Sequence, residues 1–249
     1  MGDLYMTTIT KNQTIIVKEK YSYGYALKLY KPFKNDEEKF NYKFEKDKLY
    51  IVRFDGKHMT RDFKKKKEPI NEDFFKTMKK TFYSFCSSKK NILFAYSFSD
   101  EISILIKGPN DNKAEDARIE KILSLYASEL SILFYKNALD DNLSLKRNCI
   151  FDARIIQPKA IDKYFIARQA FAIDKFLMQL KGKYGIYYKL NTSKEVLKEL
   201  EKRNVKYDEL PSEHRYGLIY HYKEKIKSFE FQSQLWKLKK LLYLSHNKK

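Results

Sequence analysis

Asp100 and Glu101 lie between two apolar runs in the stretch N-I-L-F-A-Y-S-F-S-D-E-I-S-I-L-I-K, residues 91–107. Runs this rich in Ile, Leu, Phe and Tyr on either side of a short polar break predict a tight β-hairpin with Ser99, Asp100 and Glu101 at its tip. Ser and Asp favour turns through their own side-chain hydrogen bonds, so an ordinary turn accounts for the tip taken alone. A second acidic position changes its meaning. The apolar run L-Y-I-V-R-F, residues 49–54, stops at Asp55-Gly56, where glycine permits backbone conformations that other residues resist. A hard cation such as Mg²⁺ takes carboxylate oxygens together with substrate phosphates. Two carboxylates at one place in an otherwise basic chain would therefore suit a divalent cation and phosphoryl chemistry.

Whether they meet depends on the elements that carry them. Residues 49–54 read as a buried strand, followed by a basic loop over 57–67 that contains four consecutive lysines. Asn71 is placed to cap a helix running to about residue 85, with Phe74, Phe75, Met78, Phe82 and Phe85 on one face. After the hairpin, the spacing of Ile119, Ile122, Leu123, Tyr126, Leu130 and Leu133 predicts a helix over about 115–136. Residues 150–156 read as a further strand, interrupted by Asp152 and Arg154. The order is β-α-β-β-α-β, the split βαβ or ferredoxin-like arrangement of the α+β class. Right-handed crossovers then put the third strand between the first and second, antiparallel to both. The end of the first strand and the hairpin tip must share one rim, which makes Asp55 and Asp100 neighbours.

Flanking this unit, residues 1–48 show only short β-like pieces, at 14–17 and 23–29, and read as an extension. A helix over 161–180 follows the fourth strand, a short one capped by Ser193 spans 193–203, and a strand covers 217–222. A basic amphipathic segment at 229–242 reads either as an RNA-facing helix or as a surface helix packing its leucines inward. The expected division is an extension (1–48), the split βαβ unit (49–182) and a helical, basic C-terminal extension (183–249).

The charge balance points to a polyanion. The chain has 249 residues, with 51 Lys and Arg against 32 Asp and Glu, a net charge of +19. That excess suits nucleic acid or an anionic membrane surface. Part of the lysine count, with abundant Asn, Ile and Tyr, is also what an AT-rich genome produces. Aromatic residues reach 16% and offer stacking surfaces for unpaired bases, although a core consumes most of them. Cys86 and Cys149 lack CxxC partners and the four histidines lack metal-ligand spacing, which excludes a disulfide framework or a zinc ribbon. No segment reaches membrane-spanning length and no leader pattern precedes the first strand. The expectation is an intracellular protein without a membrane partner, cytoplasmic or, in a eukaryote, mitochondrial.

Five segments in order, Y-I-V-R-F-D-G-K (50–57), F-A-Y-S-F-S-D-E (94–101), R-I-E-K-I-L-S-L-Y-A-S (118–128), F-D-A-R-I-I (151–156) and A-R-Q-A (167–170), resemble the tRNA-His guanylyltransferase superfamily. The resemblance covers about residues 49–180. It implies a polymerase-like palm that adds nucleotides to the 5′ end of tRNA in the 3′ to 5′ direction. Carried onto this chain, it makes Asp55 and Asp100 the carboxylates of two Mg²⁺ ions with the Gly56 carbonyl as a further ligand, and it makes Glu101 a third catalytic acid. Two metals would clamp the attacking and leaving oxygens of an in-line phosphoryl transfer. ATP and GTP or another nucleoside triphosphate are the implied substrates beside tRNA. Arg53, Lys57, Lys67 and Ser99 are then the candidate nucleotide contacts. Arg61, Arg118, Lys121, Arg154 and Arg168 are candidate RNA or phosphate contacts, against the alternative that some are solvated surface charge. By analogy with the family, a homo-tetramer is expected.

Two departures refine this. Superfamily members that add the extra guanylate to tRNA-His carry an H-I-N-N-L-Y-N-T-like segment after Arg-Gln-Ala, where this chain reads F-A-I-D-K-F-L-M (171–178). The loss of that histidine resembles the Thg-like branch, whose members restore 5′-truncated tRNAs by template-directed addition. The family's K-P-N-D motif is altered to Glu-Pro-Ile-Asn at 68–71, so Lys67 or another residue of the basic run would have to hold triphosphate. Guanylate addition to tRNA-His and a non-catalytic RNA-binding palm remain the alternatives.

Overall fold

A computed structural model describes residues 23–222, except 40, 60–62, 64–69, 109–117, 146–147, 158, 189 and 191. The chain divides into two units, residues 1–41 and 42–249. In the first, Tyr23–Glu38 forms helix α1, with Pro32 inside it. The β-like reading of residues 23–29 is therefore corrected to helix. Short apolar runs cannot be assigned by periodicity alone, and Ala26, Leu27, Lys28 and Leu29 are strong helix formers. Residues 14–17 lie outside the described residues, as does the segment 229–242.

The second unit is an α+β palm. Its elements run β1 (Leu49–Gly56), α2 (Glu72–Ser88), β2 (Ile92–Phe98), β3 (Glu101–Lys107), α3 (Ile119–Asp140), β4 (Phe151–Ile156) and α4 (Ile161–Lys183). They continue as α5 (Ser193–Glu201), a 3₁₀ turn (Tyr207–Glu209), α6 (Ser212–Tyr216) and β5 (Leu218–His221). The strand order is β4-β1-β3-β2-β5, with every neighbouring pair antiparallel. The third strand lies between the first two, as the element order requires. The fifth strand is an addition to the expected four: residues 218–221 extend the sheet beside β2, inside the segment read as a C-terminal extension. Residues 42–48 also belong to this unit, because Phe44 is buried against Tyr50 and Gly108 N–H donates to Lys48 O at 2.8 Å.

Alternation along β1 sends its residues to two different cores. Val52 and Phe54 join Met78, Phe82 and Phe85 of α2 and Leu130 and Phe134 of α3 on one face. Fully burying a phenylalanine contributes about 1.5–3 kcal/mol, so this aromatic layer dominates the packing. On the other face, Ile51, Phe94 and Leu105 pack under Phe165 and Ala172 of α4. That helix covers only part of its face and leaves the hairpin end of the sheet to polar residues. Its far half joins Val196 and Leu200 of α5 in a third core.

The caps account for several boundaries. Asn71 Oδ1 accepts from Phe74 N–H at 3.2 Å, as expected. The expected Ser193 cap of α5 is corrected to Thr192. Its hydroxyl and Glu195 form a reciprocal capping box, while the Ser193 hydroxyl donates to Asp174 at 2.7 Å. A capping box satisfies two orphan N–H groups at once, which a lone serine one residue later does not.

Candidate active site

The hairpin end of the sheet is built from β1, β3 and β4. Asp55 lies directly opposite Glu101 of β3 and Asp152 of β4. Directly opposed residues on antiparallel strands project to the same face, about 5 Å apart. The register therefore lines up three carboxylates across three strands. One step inward on the same face, Arg53 opposes Ser103 and Arg154. A row of acids and a row of bases thus lie side by side.

Asp100 enters from the turn. Gly56 N–H donates to Asp100 O at 2.9 Å, which joins the end of β1 to the hairpin tip. A Cβ at residue 56 would sit 3.0 Å from Asp100 Cβ and 2.6 Å from Met59 Sδ. A side chain there would force Met59 and the hairpin tip to give way. The turn is tight: Ser99 takes a left-handed conformation at φ 58°, which costs a non-glycine residue about 1 kcal/mol or more. Asp100 itself is buried at the rim.

The electrostatics follow from this crowding. Burial first, and then the charges of Asp100 and Asp152, push the Asp55 carboxyl above its ordinary range against the pull of Arg53 and Arg154. Burial also raises Glu101, opposed mainly by Arg168. Arg168 of α4 forms an ion pair with Glu101, both largely buried. Arg53 Nε is buried without a hydrogen-bond partner among the described residues. A buried guanidinium nitrogen with no acceptor is rare and is suited to an anion brought in from outside.

Among the described residues, no group of three or more His, Cys, Asp or Glu side chains is arranged to hold a metal ion. Asp55, Asp100 and the Gly56 carbonyl nevertheless suit Mg²⁺ in kind, since this ion commonly takes one or two carboxylates and completes its shell with water and substrate phosphates. Like-charge crowding at Asp55 is what a divalent cation would relieve.

The other expected residues are distributed unevenly. Ser99 and the exposed Lys57 border the rim, and Lys57 N–H donates to Ile150 O at 2.9 Å. Arg154 points to the rim face and pairs with Asp152 at 3.4 Å. Arg118 and Lys121 are not brought to the rim. Arg118 bridges Lys43 at the start of α3, by the end of the sheet where Leu49 pairs Lys107, roughly 20 Å away along β1. Arg61 and Lys67 lie outside the described residues. Asp152 was not among the expected site residues, although its period-two interruption of the apolar run was its signal. Lys175, 6.0 Å from the Phe98 ring centre and drawn toward Glu101, had no such signal.

Comparison with known proteins bears on the fold and the family. A bacterial tRNA(His) guanylyltransferase (Thg1)-like protein in complex with GTP shares 20% identity at a TM-score of 0.67, over 87% of this chain and 99% of that one. A second bacterial Thg1-like structure, in complex with ATP, shares 22% at 0.64, over 79% and 87%. The tRNA(His) guanylyltransferase of Saccharomyces cerevisiae shares 19% at 0.58, over 76% and 93%. These likenesses show the fold. No curated protein matches the sequence. The sequence model of the tRNAHis guanylyltransferase family, Thg1, matches residues 30–158, just over half of the chain and the whole of β1 to β4. The chain belongs to this family of nucleotidyltransferases.

Proposed function

We propose that the chain is a Mg²⁺-dependent 3′ to 5′ nucleotidyltransferase that rebuilds the 5′ ends of truncated tRNAs by template-directed addition. The observation that carries this reading is the junction of Asp55 and Asp100 across the Gly56–Asp100 hydrogen bond, with Arg53 and Arg154 in the next row. The ligands named for the two bacterial relatives, GTP and ATP, fit nucleoside triphosphates as substrates here.

In this mechanism Arg53 and Arg154 receive the triphosphate, and the buried Nε of Arg53 gains its acceptor. Charge-assisted contacts of this kind are stronger than neutral ones. Glu101 holds Arg168 in place and keeps one acid neutralised near incoming phosphates. Mg²⁺ held by Asp55, Asp100 and the Gly56 carbonyl would supply charge neutralisation and polarise the reacting phosphate. The RNA 5′-monophosphate is first adenylylated by ATP, with release of pyrophosphate. The 3′-hydroxyl of the incoming nucleotide then forms the new P–O bond and AMP leaves. When the RNA already ends in a triphosphate, pyrophosphate is the leaving group.

Incubation of the protein with labelled 5′-truncated tRNA, Mg²⁺ and single nucleotides tests activation, direction and template use together. Addition of the complementary nucleotide is expected. Asp100→Ala should lower it by about 10³-fold or more while RNA affinity, set by phosphate contacts, stays close to that of the parent. Unchanged addition by this variant overturns the assignment. The family description favours a second reading, addition of guanylate to tRNA-His; non-templated addition to that tRNA alone would establish it instead.

A further inference from the structure

The side of α4 that borders the rim carries a stripe of which the proposed chemistry uses only Arg168. Tyr164, Arg168, Phe171, Lys175 and Met178 follow one another at intervals of four, three, four and three residues, the spacing of a single helix face. The contacts of three of them show where this face lies. Tyr164 Oη is 3.0 Å from Ser103 Oγ, Arg168 pairs with Glu101, and Lys175 lies over the ring of Phe98. Each contact falls on the rim or one step inside it, so Phe171, which lies between Arg168 and Lys175 along this face, stands at the edge of the candidate site.

Phe171 is nonetheless 53% exposed. The Arg168 guanidinium lies 4.9 Å from its ring centre, and Arg168 is itself fixed by Glu101. The ring is thus braced on one side and largely open to solvent. An exposed aromatic ring braced by an arginine, with Lys175 one turn further along the same helix in a chain of net charge +19, matches the chemistry of an unpaired nucleotide: a flat base to stack, with positive charge nearby for its phosphate. A protein partner would gain from Phe171 and Met178 but would have to bury the neighbouring cations.

We propose that Phe171 is a stacking platform for an unpaired base of the RNA substrate, positioned by the Arg168–Glu101 pair. This deepens the proposed function and rests on it for the identity of the substrate, while its test reads binding without chemistry. The probe is an RNA hairpin with a single unpaired 2-aminopurine at its 5′ end, titrated into the full-length protein in the absence of nucleotide. Stacking should quench the fluorophore. Phe171→Leu should abolish the quenching and weaken binding by about 5- to 100-fold, the range for one base–aromatic stack. Phe171→Trp should restore both. A blunt hairpin of the same sequence should bind parent and Phe171→Leu alike. The proposal is overturned if Phe171→Leu binds and quenches as the parent does. It is equally overturned if the substitution changes only the oligomeric state in sedimentation, which would assign the ring to a contact between copies. Failure of nucleotide addition by a parent protein that still stacks the base would count against the proposed reaction and leave Phe171 in its role.

Discussion

Asp55 illustrates the cost of a site made of like charges. Burial and the neighbouring Asp100 and Asp152 raise its carboxyl above the ordinary value. Its ionised form therefore opposes folding increasingly as the pH rises above the unfolded value of 3.8 and through the higher folded one. Near neutral pH without divalent cation, Asp55→Asn should raise Tm, because a neutral amide of the same size removes the repulsion. The parent should gain Tm on adding Mg²⁺ and the variant should gain less, since binding to the native state alone is stabilising. Thermal unfolding with and without Mg²⁺ checks both; a drop in Tm for the variant without metal would show that the carboxylate is net stabilising. Glu101, one position from Asp100 in the chain, differs because Arg168 partners it. Sequence placed Asp55 at the end of the first strand and Glu101 at the hairpin tip, on one rim, but it held no sign that one is crowded and the other paired. The partner comes from a helix begun sixty positions later, and only packing of α4 on the sheet brings it in.

At the scale of elements, β5 shows what local pattern can reach. Residues 217–222 read as a strand, and Leu218–His221 form one, but the partner was not legible. Pairing with β2 depends on a single turn: Gly217 has φ 82°, and a Cβ there would stand 2.6 Å from Ser97 O. Tyr96 Oη and Gln169 Nε2 both donate to Tyr216 O just before it, at 3.0 and 3.3 Å. Gly217→Ala should destabilise the protein by about 1–3 kcal/mol, through the strained φ and the collision with Ser97 O. The change is measurable as a shift in urea midpoint at unchanged slope; a loss below a few tenths of a kcal/mol would mean the strand end relaxes freely. By contrast α2 and α3 were readable because a 3.6-residue apolar period marks a buried face whatever it packs against. Helix α1 was misread for the converse reason: seven residues of mixed apolar and basic character fit either period.

Across the whole molecule, the C-terminal elements are tied back to the palm at α6. His214 packs edge-on against Phe75 of α2 at 4.4 Å and lies 3.4 Å from Glu72, while Glu213 pairs with Lys79 at 2.7 Å. Burial lowers the His214 pKa from 6.5, with Lys79 acting in the same direction and Glu72 and Glu213 acting against it. The unfolded chain therefore takes up this proton first as the pH falls. Stability should be fully present above about pH 6.5 and decline through the lower folded value, by at most about 1.4 kcal/mol per pH unit from this group. His214→Gln should flatten the loss between pH 7 and 5 in denaturant titrations; an unchanged slope would remove His214 as its source.

Element order by itself determined that Asp55 and Asp100 share a rim, because right-handed crossovers leave the third strand one place to go. Local period determined the two amphipathic helices, and counting charges determined the basic character of the chain. Only the tertiary structure decided that Asp152 completes the row, that Arg118 lies by the far end of β1, and that Arg168 and Lys175 reach Glu101 and Phe98 from α4. Those facts depend on strand register and on how α4 crosses the sheet. Both are set by the summed packing of many side chains far apart in sequence, and no short stretch of residues encodes them.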